Sequence, residues 1–418
     1  MEKTLMQRLK KLCKRITPAG ILAILFLIYI CYVGYAAFPD FVKNTGSSYY
    51  SKAGLTEYIN TIDEQYEGML TTSRDNLFLQ NKANYINFNG AMARLLHQPM
   101  MNERLMLKNG HLTTFSEKGL TDSYIQNAAE NIIRFSKTLE EQGKNFLYVQ
   151  APSQISKYEN LLPTGYKDTA NSNADKLIAQ LRINNVEVLD LREELQNEGI
   201  SITDAFYVTD HHWLPETGFW AYTKILQKLE AMNATGPIDT YYTNPDNFTF
   251  NSYEDTFLGS SGKRTGIYYA GLDDSTIIQP NFDTDITFVI PSWGGLTRQG
   301  RYEDISYNQN IDPDYSNPDF YKENVYGLYG WGDLPLSNWR NVNAPETAKF
   351  LLIGDSYANV PFSLMSLYIS SCDEVDMRHF TDDFTEYFDN YDPDTVIFLI
   401  GSGSISSNFT KHPYLEQP

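Results

Sequence analysis

Cysteine is scarce in this chain of 418 residues, three in all, and the scarcity excludes a disulfide framework. Cys13 and Cys31 fall before and within an apolar run. That leaves Cys372 alone in the remainder, where the context SLYISSCDEV reads as packing rather than as a nucleophile's surroundings. Histidine is almost as rare, with six residues, and neither an H-x-x-x-H pair nor a Cys pair supplies zinc-ligand spacing. Positive charge is also short: 33 Lys plus Arg stand against 52 Asp plus Glu, a formal net charge of -19. A nucleic-acid binder needs clustered cations to displace counterions, so that class is disfavoured.

Long hydrophobic runs are missing except for one. Between Ile16 and Pro39 no residue is charged, and AGILAILFLIYICYVGYAAF is long enough to cross a ~30 Å hydrocarbon layer as a helix. Residues 1–15 carry six basic side chains and one acid, a net charge of +5, and the chain beyond residue 15 carries -24. Basic residues ahead of an apolar run keep that side cytoplasmic. The expected layout is a basic cytoplasmic tip at 1–15, a single-pass signal anchor at 16–39 and an extracytoplasmic body. The small residues Ala36 and Ala37 are also compatible with a processing site, but the run exceeds the ~7–15 residues of an ordinary signal core.

After a polar, helix-leaning connector over 40–120, helical and apolar patterns alternate. Residues 121–142 read as a helix stopped by Gly143, followed by the strand NFLYVQ (145–150), a helix over 173–183 and the strand VEVLD (186–190). The alternation returns with ITFVI (286–290), KFLLIG (349–354) and TVIFLI (395–400), and the helix-like NVPFSLMSLYISS lies between the last two. Helices alternating with apolar strands predict βαβ units around a central parallel sheet, hence a three-layer α/β domain over 121–418. Between 231 and 348 Tyr, Asn, Asp, Gly and Pro dominate, which predicts an aromatic-rich insertion decorating the site.

Two motifs carry chemistry. In FLLIGDSYANVPF a buried strand runs into Gly354-Asp355-Ser356 and then a helix. This places Ser356 at the carboxyl edge of a parallel sheet, where open α/β folds put their sites. The backbone N–H groups of Ser356 and Tyr357, at a helix start, are candidates for holding an oxyanion. A serine needs a base, and a base needs an orienting carboxylate. In Thr209-Asp210-His211-His212-Trp213 an extended backbone would turn Asp210 and His212 to one side and His211 to the other, making His212 the base and Asp210 its orienter. A metal held by Asp210, His211, His212 and Asp355 is the weaker reading, since adjacent His side chains would diverge. His97, His111 and His412 have no supporting context, and His379 follows the apparent strand EVDMR near the site.

The pair of motifs resembles a known group. Asp210-His211-His212-Trp213 is the signature of the DHHW family of bacterial exported proteins. With Gly354-Asp355-Ser356-Tyr357 downstream, the chain is similar to the SGNH-fold O-acetyltransferases that acetylate alginate and other secreted or cell-wall polysaccharides. There an Asp-x-His motif precedes the serine motif, as Asp210, His212 and Ser356 do here. The similarity spans roughly residues 120–410 and includes the strand and proline at 150–152. It departs after the last strand, where Ile400-Gly401-Ser402-Gly403-Ser404 stands in place of a Glu-Arg pair, and an accessory carbohydrate-binding module has no counterpart.

The resemblance implies an SGNH-hydrolase-like fold and an extracytoplasmic serine O-acetyltransferase acting on an exopolysaccharide or cell-wall glycan. Ser356 would be the nucleophile, His212 the base and Asp210 the orienter. No metal or cofactor is called for. Because acetyl-coenzyme A is cytosolic, the implied partner is a membrane-bound O-acyltransferase that delivers the acetyl group. Such enzymes complete the oxyanion hole with a Gly backbone and an Asn side chain, for which Gly294 or Gly295 after ITFVI, and Asn359, are the candidates. His211 and Trp213 are expected to line the substrate. The outer charge favours a neutral or zwitterionic glycan over a polyanion. The same triad with water as acceptor would make a carbohydrate esterase, and a non-catalytic glycan-binding surface protein is the reading from a different class.

Overall fold

The computed structural model describes residues 26–28, 31–32, 82–308, 311, 317 and 319–405. The chain divides into two compact units, Met1–Ile86 and Asn87–Pro418. In the first, the described residues are helical. Among the described residues no helix is long and apolar enough to cross a membrane, and the expected span at 16–39 lies outside them apart from 26–28, 31 and 32. The connector expected over 40–120 is divided at residue 87, since 87–120 belong to the second unit.

The second unit is built on an eight-stranded sheet. Its strands are β1 Asn145–Ala151, β2 Val188–Asp190, β5 Ile286–Ile290, β6 Leu296–Gly300, β7 Leu336–Asn341, β8 Glu346–Gly354, β9 Ile369–Val375 and β10 Thr395–Gly401. A separate ribbon pairs β3 Phe248–Phe257 with β4 Asp273–Pro280. The spatial order is β2-β1-β10-β8-β9-β7-β5-β6. The first five strands are parallel, whereas β7, β5 and β6 join by antiparallel pairing.

The sheet is therefore mixed, and the expectation of a parallel sheet holds only for its first five strands. The difference comes from the insertion at 231–348, which adds three strands to the sheet itself instead of only decorating it. The connection Pro291–Gly295 is too short for a crossover helix, and Gly294 and Gly295, at φ +69° and +75°, turn it into a hairpin. Because β5 is antiparallel to β7 and β7 to β9, β5 points the same way as the parallel strands.

Strands β1 and β10, and β8 from Phe350 onward, are largely apolar because both faces are covered, whereas β9 carries Ser370, Ser371, Asp373 and Glu374. Phe146, Tyr148, Leu351, Ile353, Val396 and Phe398 enter one core with helices α1 Asp122–Glu141, α2 Ala170–Ile183 and α7 Phe384–Tyr391. The alternate residues Leu147, Val149, Phe350, Leu352, Ile397 and Leu399 enter the other, with α3 Leu191–Glu198, α4 Pro215–Ala231 and α6 Asn359–Tyr368. A short helix, α5 Ser260–Thr265, follows the end of β3. The α1 stripe Ile125, Ala128, Ala129 and Ile132 has helical spacing, and Thr121 caps its start by accepting the Tyr124 N–H. Helix α6 ends at Tyr368, earlier than the helix-like pattern through Ser371, because Ile369 already pairs in β9. Cys372 is buried in that strand.

Candidate active site

Strand β8 ends at Gly354, and Ser356 opens a single turn that leads into α6. Asp355 locks this corner: its Oδ1 accepts the Tyr357 N–H at 3.0 Å and its Oδ2 accepts the Gly401 N–H at 2.9 Å, joining the ends of β8 and β10. Burial raises the Asp355 carboxyl above its ordinary range. Gly354 is required by close approach, since a Cβ there would lie 2.5 Å from that of Ala358.

The second motif sits on a loop between the bridge partners Phe206 and Trp213. Two clamps hold the loop. Asp273, at the start of β4, accepts the Val208 and Thr209 N–H groups at 2.8 and 2.7 Å, and Gln154 Nε2 donates to the carbonyls of Tyr207 and Asp210, each at 2.7 Å. The tip is bent rather than extended. Asp210 Oδ1 accepts the His212 N–H at 3.1 Å, the local turn that Asp side chains favour, and this folds the carboxylate over the imidazole.

The structure brings Asp210, His212 and Ser356 into one line. His212 Nδ1 lies 2.5 Å from Asp210 Oδ1, and His212 Nε2 lies 2.7 Å from Ser356 Oγ. Asp210 Oδ2 accepts the Ser260 N–H at 2.6 Å. Burial by itself would raise the Asp210 carboxyl, but the charge and hydrogen bond of His212, the charge of His211 and the Ser260 N–H hold it well below the ordinary range. An ionised carboxylate only accepts, so Nδ1 carries the proton and Nε2 presents its lone pair to the serine hydroxyl.

His211 departs from expectation. Its ring lies 3.8 Å from that of His212, centroid to centroid, and its Nδ1 is 3.5 Å from Asp210 Oδ1, so the two imidazoles do not diverge. The reason is the bent tip: alternation of side chains requires an extended backbone. Burial first, and the neighbouring His212 charge second, push the His211 imidazole down to about 4. The metal-type grouping of Asp210, His211 and His212 does converge. Both Asp210 oxygens, however, already accept N–H groups, and His212 Nε2 faces Ser356. Asp355 is engaged at the strand ends instead.

The oxyanion candidates are placed differently from the reading above. The Tyr357 N–H is taken by Asp355, while its hydroxyl donates to the His211 carbonyl at 2.7 Å. Gly294 and Gly295 form the β5–β6 turn, three strand positions from β8, or about 14 Å at ~4.8 Å per strand. They cannot reach an oxyanion on Ser356. Asn359 is buried at the start of α6, and its amide donates to Asp333 Oδ1 at 3.3 Å. Trp213 is fully buried and packs edge-on against Tyr357 at 5.5 Å, so it supports the loop rather than lining substrate.

Several neighbours escaped the motif reading. Tyr326 stacks on the His212 ring at 3.9 Å with planes 9° apart, and its hydroxyl donates to the Ser356 carbonyl at 3.0 Å. Ser260, Asp273 and Gln154 hold the loop from distant points of the chain. Gly259 lets Ser260 approach: a Cβ there would lie 2.3 Å from the Asp210 Cβ. The one usable sequence signal was the small-residue tract Gly259-Ser260-Ser261-Gly262, which marks close backbone approach.

This is the three-layer α/β architecture of the SGNH-hydrolase-like fold, with a mixed sheet. Residues 113–246 match the family model described as the SGNH hydrolase-like domain of the acetyltransferase AlgX. The chain is similar to the solved structure of Bacillus cereus PatB1, at 20% identity over 72% of this chain and 96% of that one, with a TM-score of 0.59. A second PatB1 structure, with a sulfonyl adduct, matches at 18% identity over 75% and 99%, with a TM-score of 0.57. A DHHW family protein from Eubacterium siraeum matches at 17% identity over 76% and 96%, with a TM-score of 0.53. No curated protein matches the sequence. The resemblance to DHHW proteins and SGNH-like O-acetyltransferases thus extends from motif to fold.

Proposed function

We propose that this protein is a serine O-acetyltransferase that places acetyl groups on an extracytoplasmic polysaccharide. The observation that carries the reading is the unbroken contact from Asp210 through His212 to Ser356 at the carboxyl edge of the sheet. The match of residues 113–246 to an acetyltransferase domain supports the class. Ser356 Oγ attacks the acyl carbonyl while His212 Nε2 takes its proton, and Asp210 stabilises the imidazolium that forms. His212 then protonates the departing group. In the second half a sugar hydroxyl gives its proton to His212 and attacks the serine ester, and His212 returns that proton to Oγ as the ester bond breaks, which restores Ser356.

The proposal includes an N-terminal anchor at 16–39, a body outside the cytoplasm and a membrane-bound O-acyltransferase as acetyl source. The uncharged run behind a basic tip supports the anchor. In the test, purified chain is mixed with an activated acetyl ester, with and without candidate glycans. Acetylated glycan formed by wild type and not by Ser356→Ala is the expected result. Free acetate alone, undiminished by acceptor, would replace the reading with an esterase. Turnover that survives Ser356→Ala would discard the triad.

A further inference from the structure

The carboxyl edge of the sheet continues past Ser356, and the triad does not use it. Going from β8 to β5, the edge passes the end of β9, which delivers Asp376 and Arg378, and the approach to β7, which delivers Asp333. Arg378 Nη2 lies 2.5 Å from Asp376 Oδ2 and 3.0 Å from Asp333 Oδ2, and Asn359, three residues beyond Ser356, donates to Asp333 from the other side. Asp333 is exposed. A carboxylate can accept about four hydrogen bonds, so Asp333 keeps capacity for hydroxyl donors after these two partners. Arg378 offsets one of the two carboxylates it touches, and the negative charge that remains disfavours a polyanion.

At the far end stands Trp293, with 46% of its surface exposed, while the chain's other tryptophans are buried or half-buried. It is not loose. Its ring meets the edge of Trp331 at 5.9 Å, and Trp331 is itself buried, with its Nε1–H donated to the Ile305 carbonyl at 2.7 Å. The backbone holds Gly330, Trp331 and Gly332 at φ +59°, +66° and +78°, an unfavourable run for a tryptophan. The stretch that carries Trp331 also carries Tyr326, so one piece of chain supports both the His212 ring and the exposed indole.

We infer that this edge is a binding strip for an extended glycan acceptor, with Trp293 stacking on a sugar ring distant from the reacting hydroxyl and Asp333 and Arg378 bonding sugar hydroxyls between. The inference rests on the acyl-transfer reading of Ser356 and adds where the polymer lies. Three strand spacings of ~4.8 Å separate the ends, about 14 Å. A single sugar cannot touch both, so affinity must depend on ligand length.

The test is calorimetric titration of the full chain with oligomers of N-acetylglucosamine, of glucose and of a uronic acid, each from one to six units. In wild type, at least one series binds about tenfold more tightly at six units than at one. Trp293→Ala abolishes that rise, and Trp293→Phe keeps most of it, because the stacking face remains. No rise with length in any series, or a rise that survives Trp293→Ala, overturns the strip. Acylation of Ser356 by an activated ester is read separately on the same samples. Length-dependent binding without acylation keeps the strip and discards the transferase, and acylation without length dependence does the reverse.

Discussion

Replacing Gly259 by alanine should disable the site without touching any group that reacts. The added Cβ would lie 2.3 Å from Asp210 Cβ, 2.7 Å from its Cα and 2.7 Å from its Oδ2. Two of these are parts of the chain that cannot swing away, so the loop must move by about an ångström. Overpacking of this kind costs about 1–3 kcal/mol, a few degrees of melting temperature in a domain this size. The chemical loss should be larger. The shift lengthens the Ser260 N–H contact at 2.6 Å and the His212 Nδ1 contact at 2.5 Å together, both on Asp210. A misplacement near 1 Å costs on the order of 100-fold, and losing the orienting carboxylate altogether about 10⁴. The expected fall in ester turnover is therefore between ~100-fold and ~10⁴-fold, measured well below the melting temperature. Gly218→Ala is the control, since its Cβ would meet Val360 at 2.5 Å where α4 crosses α6, away from Asp210. It should melt as early as Gly259→Ala and lose much less turnover. If Gly259→Ala keeps turnover within about threefold of wild type, the position of Asp210 is not what sets the base, and the reasoning fails.

Other perturbations separate the neighbours of the triad. His212→Ala should abolish ester turnover, by roughly 10⁴-fold or more, whereas His211→Ala should cost about tenfold through lost support of the His212 ring; equal losses would show that the two rings share the base's work. Tyr326→Phe keeps the stack on His212 and loses one neutral hydrogen bond, about 1 kcal/mol or fivefold in turnover, and Tyr326→Ala should lose more, so a harmless Tyr326→Ala would remove this tyrosine from the site. Burial first, then the charges of Asp376 and Asp333, push the Glu374 carboxyl up to about 8. A folded-state value above the unfolded one means that its stability contribution is full at low pH and lost as pH rises from about 4.5 towards 8. Glu374→Gln should therefore raise the melting temperature at pH 8 and lose that advantage near pH 4.5; an equal gain at both would refute the buried-acid account.

Three strands of the parallel half were legible because each is apolar on both faces, while Ile369–Val375, with its serines and acids, was not, and its start read as helix. NFLYVQ, KFLLIG and TVIFLI stand out from any surface strand, and the helix after Thr121 announced itself by cap and stripe. The antiparallel half was misread because an apolar run such as ITFVI reports burial and not direction. Direction lay in the Trp-Gly-Gly turn after it. At the site, the pairing of Asp210 with His212 was anticipated through an extended backbone, and the structure reaches it through a turn in which Asp210 accepts the His212 N–H. That substitution of mechanism explains why His211, expected to point away, lies against its neighbour. Tyr326, Asp273 and Gln154 were illegible for a simpler reason. Their partners stand dozens of residues away, and no spacing rule connects them.

The clamps on the Asp210 loop bear on how the domain can be dissected. Ser260 and Asp273, which fix the carboxylate and the loop behind it, both come from the stretch 231–348 that a linear reading sets aside as decoration. Ser356 belongs to one part of the chain, and the posture of Asp210 and His212 is dictated in part by another. Trimming that stretch would leave Ser356 at its strand end beside a His212 loop that keeps the Gln154 clamp but loses those of Asp273 and Ser260. The smallest functional piece is therefore defined by who grips the loop, and it cannot be cut out along the boundaries that the sequence suggests.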